Sequence, residues 1–137
     1  MERGELQAIA QAKLDDAEFL FQSERYSNAY YLFGYAVEIA IKSRIACLFR
    51  SDTIPDKKFV NDTYSHDLNK LVGLAGLKSE LDESRNTSPE FDGHWSTVSD
   101  WEESSRYDMI DPFRTAAMRN APMDEEHEVF RWLQEHW

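Results

Sequence analysis

The chain has 137 residues, 42% hydrophobic and 13% aromatic, enough for one core and too few for two. Fifteen Lys and Arg against 26 Asp and Glu give a net charge of −11, which opposes general binding to phosphate backbones, DNA included, and to anionic membrane surfaces. Cys47 has no partner for a disulfide, Met1 to Glu5 lacks the apolar run of a signal peptide, and the most apolar window, 29–41, is too short to span a bilayer. A cytoplasmic protein is expected.

In the first segment Leu6, Ile9, Ala10, Leu14, Ala17, Leu20 and Phe21 recur every three or four residues, which predicts an amphipathic helix over roughly 3–23. A turn comes next at 25–28, with Ser27 or Asn28 as N-cap. The second helix, roughly 28–50, is apolar nearly all round, so it must be covered on most sides and stand at the centre of a bundle. Gly34 inside it costs about 1 kcal/mol relative to Ala, and the compensation expected is close approach by a neighbouring helix. Residues 51–64 read as a polar connection. A third helix starts near Ser65-His66-Asp67 and stops at Gly76, with a short helical piece over 77–85. Ser88-Pro89-Glu90 and Asp111-Pro112 are helix starts, each with a capping side chain and Pro at the first position. The first leads a helix bearing Phe91, Trp95, Val98 and Trp101. Pro122 kinks or breaks the helical run after Asp111-Pro112, and a last helix carries Val129, Phe130, Leu133 and Trp137. No stretch alternates with period two. The expectation is an all-α, up-and-down bundle of five or six helices forming a single domain over 1–137.

Charge is unevenly spread: residues 1–78 sum to −1 and residues 79–137 to −10. The only basic concentration is Lys42, Arg44, Arg50, Lys57 and Lys58. It reads as a solvated helix end and loop, and it is also where an anion contact would fall.

The common nucleotide, hydrolase and calcium motifs are absent. His127-Glu128-Val129-Phe130-Arg131 begins like HExxH, but a guanidinium cannot ligate zinc. The acidic group Asp124, Glu125, Glu126 and Glu128 suits a helix N-terminus. No metal and no cofactor is expected. Glu38 and Lys42, four apart with Glu first, form a helical ion pair in the most apolar part of the chain. Its expected role is structural, and burial there also keeps a ligand-site reading open.

The stretch from Arg25 to Lys42, with Tyr35-Ala36-Val37-Glu38-Ile39-Ala40-Ile41-Lys42 at its end, resembles the second helix of HEPN-domain proteins. His66-Asp67-Leu68, the Ala75-Gly76-Leu77 step, the Trp101 to Tyr107 segment and Trp132-Leu133 are also similar to one prokaryotic branch. The resemblance implies a helical bundle, commonly dimeric, of toxin–antitoxin or phage-defence type, often beside a nucleotidyltransferase-type antitoxin. Many members are metal-independent ribonucleases with an R-x(4–6)-H motif, and others act only as binding modules.

Arg131 and His136 match R-x4-H by spacing, but Trp132 stands where the family places Asn, Asp or His. Five residues on a regular helix are about 140° apart, so the two side chains do not share a face. Arg119-Asn120 has the right first two residues, but His127 is eight positions on. Two functions are therefore carried forward. One is a HEPN-like module working by dimerisation and partner binding without its own catalysis. The other is a ribonuclease using Arg131 and His136, with RNA as a partner only in that case. A plain helical binding protein also fits. Trp95, Trp101, Trp132 and Trp137, with Phe91, Phe113 and Phe130, look like more large aromatics than outer helices can hide, so a homodimer through the C-terminal helices is expected.

Overall fold

A computed structural model describes residues 1–124 and 128–137. It is all-α, with no strand among the described residues. α1 (Arg3–Gln22) and α2 (Tyr26–Ala46) form a hairpin. Against α2 pack α4 (Leu68–Leu74), a 3-10 helix (Glu103–Tyr107), α7 (Pro112–Met123) and α8 (Val129–His136), while α3 (Lys57–Asp62) packs on α4 and α5 (Lys78–Thr87) on α6 (Pro89–Ser99), which in turn packs on α7 and α8. The buried apolar side chains form one contiguous cluster, to which α2 contributes most, from Ala29 to Ile45. That is the central position its all-round apolar pattern demands.

Several expectations change in detail. Eight α-helices stand among the described residues where five or six were expected. One of the additional helices, α3, lies in the supposed loop, where the Asp56 carboxylate accepts from the Phe59 amide and starts a six-residue helix. Ser27 does not cap α2. The helix begins at Tyr26, and the Ser27 hydroxyl accepts from the Ile110 amide at 2.8 Å, tying the loop before α7 to the α1–α2 turn. α6 stops at Ser99, leaving Trp101 beyond the helix. The Trp101 indole then lies against α2 at Gly34, where a Cβ would overlap its ring. Close approach at Gly34 is real, but an indole makes it and not a helix. Pro122 falls in the last turn of α7, which ends one residue later.

Other starts and stops match their chemistry. Asp67, Ser88 and Asp111 each accept an amide at the head of α4, α6 and α7. Gly76, at φ +72°, ends α4 with Gly76 N donating to Gly73 O and Leu77 N to Val72 O, and Leu77 is buried. That double bond pattern needs a left-handed residue.

Most of the aromatics expected at a dimer interface lie inside the chain instead. Trp95, Trp101, Trp132, Phe91 and Phe130 are all buried within it, because α6 and α8 turn their aromatic faces inward and Trp101 lies against Gly34. Of that group Phe113 alone is strongly exposed, at 89%. It is joined by Tyr107 and Met109 on the approach to α7.

Candidate functional site

The polar pair singled out on α2 is formed, with a third member. Glu38 is 2% exposed, its Oε2 lying 3.3 Å from Lys42 Nζ and its Oε1 2.7 Å from His66 Nδ1. A carboxylate can only accept, so the histidine donates through Nδ1. Ser65 holds the approach, its hydroxyl accepting from the Asp67 amide at 3.1 Å, while Asp67 caps α4. Taking a carboxylate out of water is costly unless it is paired, and two donors from two elements supply that pairing.

This cluster borders the widest groove described, about 630 Å³ between α1 and α2. Leu6, Ile9 and Lys13, spaced along one face of α1, form one wall; Glu38, Ile39 and Lys42 contribute to the other. A second cleft of about 400 Å³, lined by Leu48, Arg50, Asp56 and Phe59, meets the first at Phe49.

The remaining members of the basic stretch are dispersed. Arg44 Nε donates to Ala75 O at 3.4 Å. Lys58 lies 2.8 Å from Asp62, which Lys70 also approaches at 3.2 Å. These two ammonium groups, Lys58 first, hold the Asp62 carboxyl below the usual carboxylate range. Arg50 lines the smaller cleft, and Lys57 is exposed at the start of α3. No single anion cradle gathers Arg44, Arg50, Lys57 and Lys58.

Arg131 and His136 both lie on α8. Arg131 lines a cleft of about 210 Å³ with Ser84, Thr87, Phe91 and Glu135, its Nε 3.5 Å from Glu128. His136 does not line that cleft. Its ring packs on Trp132 at 4.7 Å, and Nδ1 donates to the Trp132 carbonyl at 2.7 Å. The other arginine, Arg119, grips Glu18 across α7 and α1 through Nε at 2.6 Å and Nη2 at 2.8 Å, with its guanidinium over Phe21. That grip pulls the Glu18 carboxyl below its ordinary value against the opposing effect of burial. His127, and with it the HExxH-like pattern, lies outside the described residues, as do Glu125 and Glu126. Among the described residues no group of three His, Cys, Asp or Glu side chains is placed to hold a metal ion, and no helix is long and apolar enough to cross a membrane.

The chain matches no family model, no curated protein and no solved structure. Its functional reading therefore rests on its own residues. Sequence reasoning finds Glu38 and Lys42 but not the bond from His66 or the place of Lys13 in the groove lining. In the sequence His66 stands in a helix start and in one of the segments that carry the resemblance, and neither points to Glu38. Lys13 continues the Leu6, Ile9 spacing on α1, a signal that places it on the same face.

Proposed function

We propose that this chain is a HEPN-like helical module of the cytoplasm, acting by dimerisation and partner binding in a toxin–antitoxin or phage-defence system, without catalysis of its own. The single observation carrying the non-catalytic part is the separation of Arg131 from His136. The arginine faces a cleft beside Glu128 and Glu135, and the histidine is folded back onto Trp132. RNA cleavage of the metal-independent kind needs a base at the 2′-hydroxyl and a cation on the same phosphate. Arg119 does not fill the gap, since Glu18 already occupies its planar fork. The −10 charge of residues 79–137 further opposes phosphate. The family reading rests on the Arg25–Lys42 resemblance.

For dimerisation the supporting surface is Tyr107, Met109 and Phe113, exposed by 77%, 94% and 89% within seven residues. Large apolar side chains left exposed so close together in the chain are where an interaction surface is expected. A nucleotidyltransferase-type antitoxin encoded next to this chain would support the defence setting. The decisive test of chemistry is an RNA cleavage assay, in which the wild type is expected to show no more product than His136→Ala, with or without divalent metal. Robust cleavage lost in that variant would establish the ribonuclease reading. Sedimentation at tens of micromolar should show a dimer that Phe113→Glu converts to monomer, and a wild-type monomer would remove the dimer from the proposal.

A further inference from the structure

The α1–α2 groove combines three properties. Much of its lining is apolar, with Leu6 and Ile9 from α1 and Ile39 and Ile45 from α2. Its volume of about 630 Å³ falls within the range of small-molecule sites, roughly 300–1,000 Å³. Its charged lining is cationic in balance, although the protein as a whole carries −11. Lys13 forms no ion pair among the described residues. Lys42 reaches Glu38 with one contact at 3.3 Å, leaving donor capacity on its three-hydrogen ammonium. The one acid of the lining, Glu38, has both oxygens engaged, Oε2 by Lys42 and Oε1 by His66. It therefore offers little to an incoming cation.

From this arrangement we infer that the α1–α2 groove binds a small amphipathic carboxylate, its apolar tail between Leu6, Ile9, Ile39 and Ile45 and its carboxylate between Lys13 and Lys42. The acid is favoured over a cationic amphiphile because each ammonium presents donors and Glu38 presents no unengaged oxygen. His66 has a part in this. When Lys42 turns toward the ligand, the 2.7 Å bond from Nδ1 keeps the buried Glu38 carboxylate partnered, so the exchange does not strand a charge. The tail supplies binding through apolar burial, and the head selects orientation and sign.

Calorimetric titration with decanoate below its micellar range tests this directly. Saturable binding with one site per chain is expected, weakening from decanoate to hexanoate and undetectable for acetate. Lys13→Glu should weaken decanoate at least tenfold. Lys13 has no ion pair to lose, so this variant should melt like the wild type by circular dichroism. Lys42→Met is a second variant expected to lose affinity. Decyltrimethylammonium should bind at least tenfold more weakly than decanoate to the wild type. The inference is overturned by the absence of saturable decanoate binding, by equal or tighter binding of the cationic amphiphile, or by decanoate affinity unchanged in Lys13→Glu. Binding to anionic phospholipid vesicles without binding to monomeric decanoate would also overturn it, assigning the groove to a membrane surface. None of these outcomes depends on whether the chain cleaves RNA or dimerises.

Discussion

Residues 3–46 form two helices of 20 and 21 residues joined through a three-residue turn, whereas the rest of the chain covers them with α-helices of 6 to 12 residues and a five-residue 3-10 helix. The two regions stop and start differently. α1 opens on a capping box between Glu2 and Glu5, but α2 has no side-chain cap, and its stability comes from burial on nearly every face. α3, α4, α6 and α7 each begin on a carboxylate or hydroxyl that accepts a backbone amide. Helices of one to three turns are marginal alone, so local caps worth about 1 kcal/mol each decide where they begin. A long helix sandwiched in a core has no such need. Periodic pattern therefore governs α2, while local chemistry plus tertiary insertion govern α3, α4, α6 and α7.

The largest effect is expected at the point where cover meets hairpin. Trp101→Ala should cost about 3–5 kcal/mol in urea denaturation, since it empties a buried indole site. Gly34→Ala should cost about 1–3 kcal/mol in the wild type, because the new methyl meets that ring. In the Trp101→Ala background the same change should reverse sign and stabilise by up to about 1 kcal/mol through helix propensity. Additive losses in the double variant would show that the contact is not what makes Gly34 necessary.

Glu38 tests the hairpin from inside, where burial and not capping is expected to set the cost. Lys42→Met leaves His66 on the carboxylate and should cost about 1–2 kcal/mol. Removing both donors, as Lys42→Met with His66→Ala, should cost about 3–5 kcal/mol, more than the sum of the singles. Replacing Glu38 by Leu in that double variant should recover much of the loss. Equal and additive single losses would mean the three groups act independently.

The smallest effect expected is at the Glu18–Arg119 bridge between α1 and α7. Its folded carboxyl titrates below the unfolded value of about 4.3, so the bridge stabilises above that pH and is lost as pH falls through the lower folded value. Both side chains are partly exposed, which limits the effect to about 1 kcal/mol or less. The stability gap between wild type and Arg119→Met should be constant above roughly pH 5 and shrink below about pH 4, the titration range of a carboxyl. A gap unchanged at about pH 3 would assign the loss to packing over Phe21 instead.

The hairpin is legible in the sequence because its apolar spacing persists over five or more turns, and the Ser88-Pro89 and Asp111-Pro112 starts because their chemistry is local. α3 is not. Lys57 to Asp62 is too short to show a period, and only the Asp56 cap marks it. Trp101 carries the spacing of the helix before it, and nothing within ten residues records Gly34 as its destination. His66 reaches Glu38 across 28 residues of chain for the same reason. Of the candidate site, the pair four residues apart is readable, while the groove it borders depends on how α1 lies against α2. Counting aromatics does not say which way α6 and α8 face, so their number is no guide to a dimer interface.

The bonds that fasten α7 to the α1–α2 turn connect distant parts of the chain: Ile110 to Ser27, Arg114 to Tyr30, Thr115 to Tyr26 and Arg119 to Glu18, spanning 83 to 101 positions. During synthesis the hairpin is finished long before these partners exist. At roughly 5–20 residues per second, the roughly 64 to 73 residues between Ala46 and these partners take about 3–15 s to appear. For that interval the nascent hairpin carries an apolar flank that no later segment has yet reached. Burial of that flank waits on α7, and surface left open during synthesis is prone to aggregate.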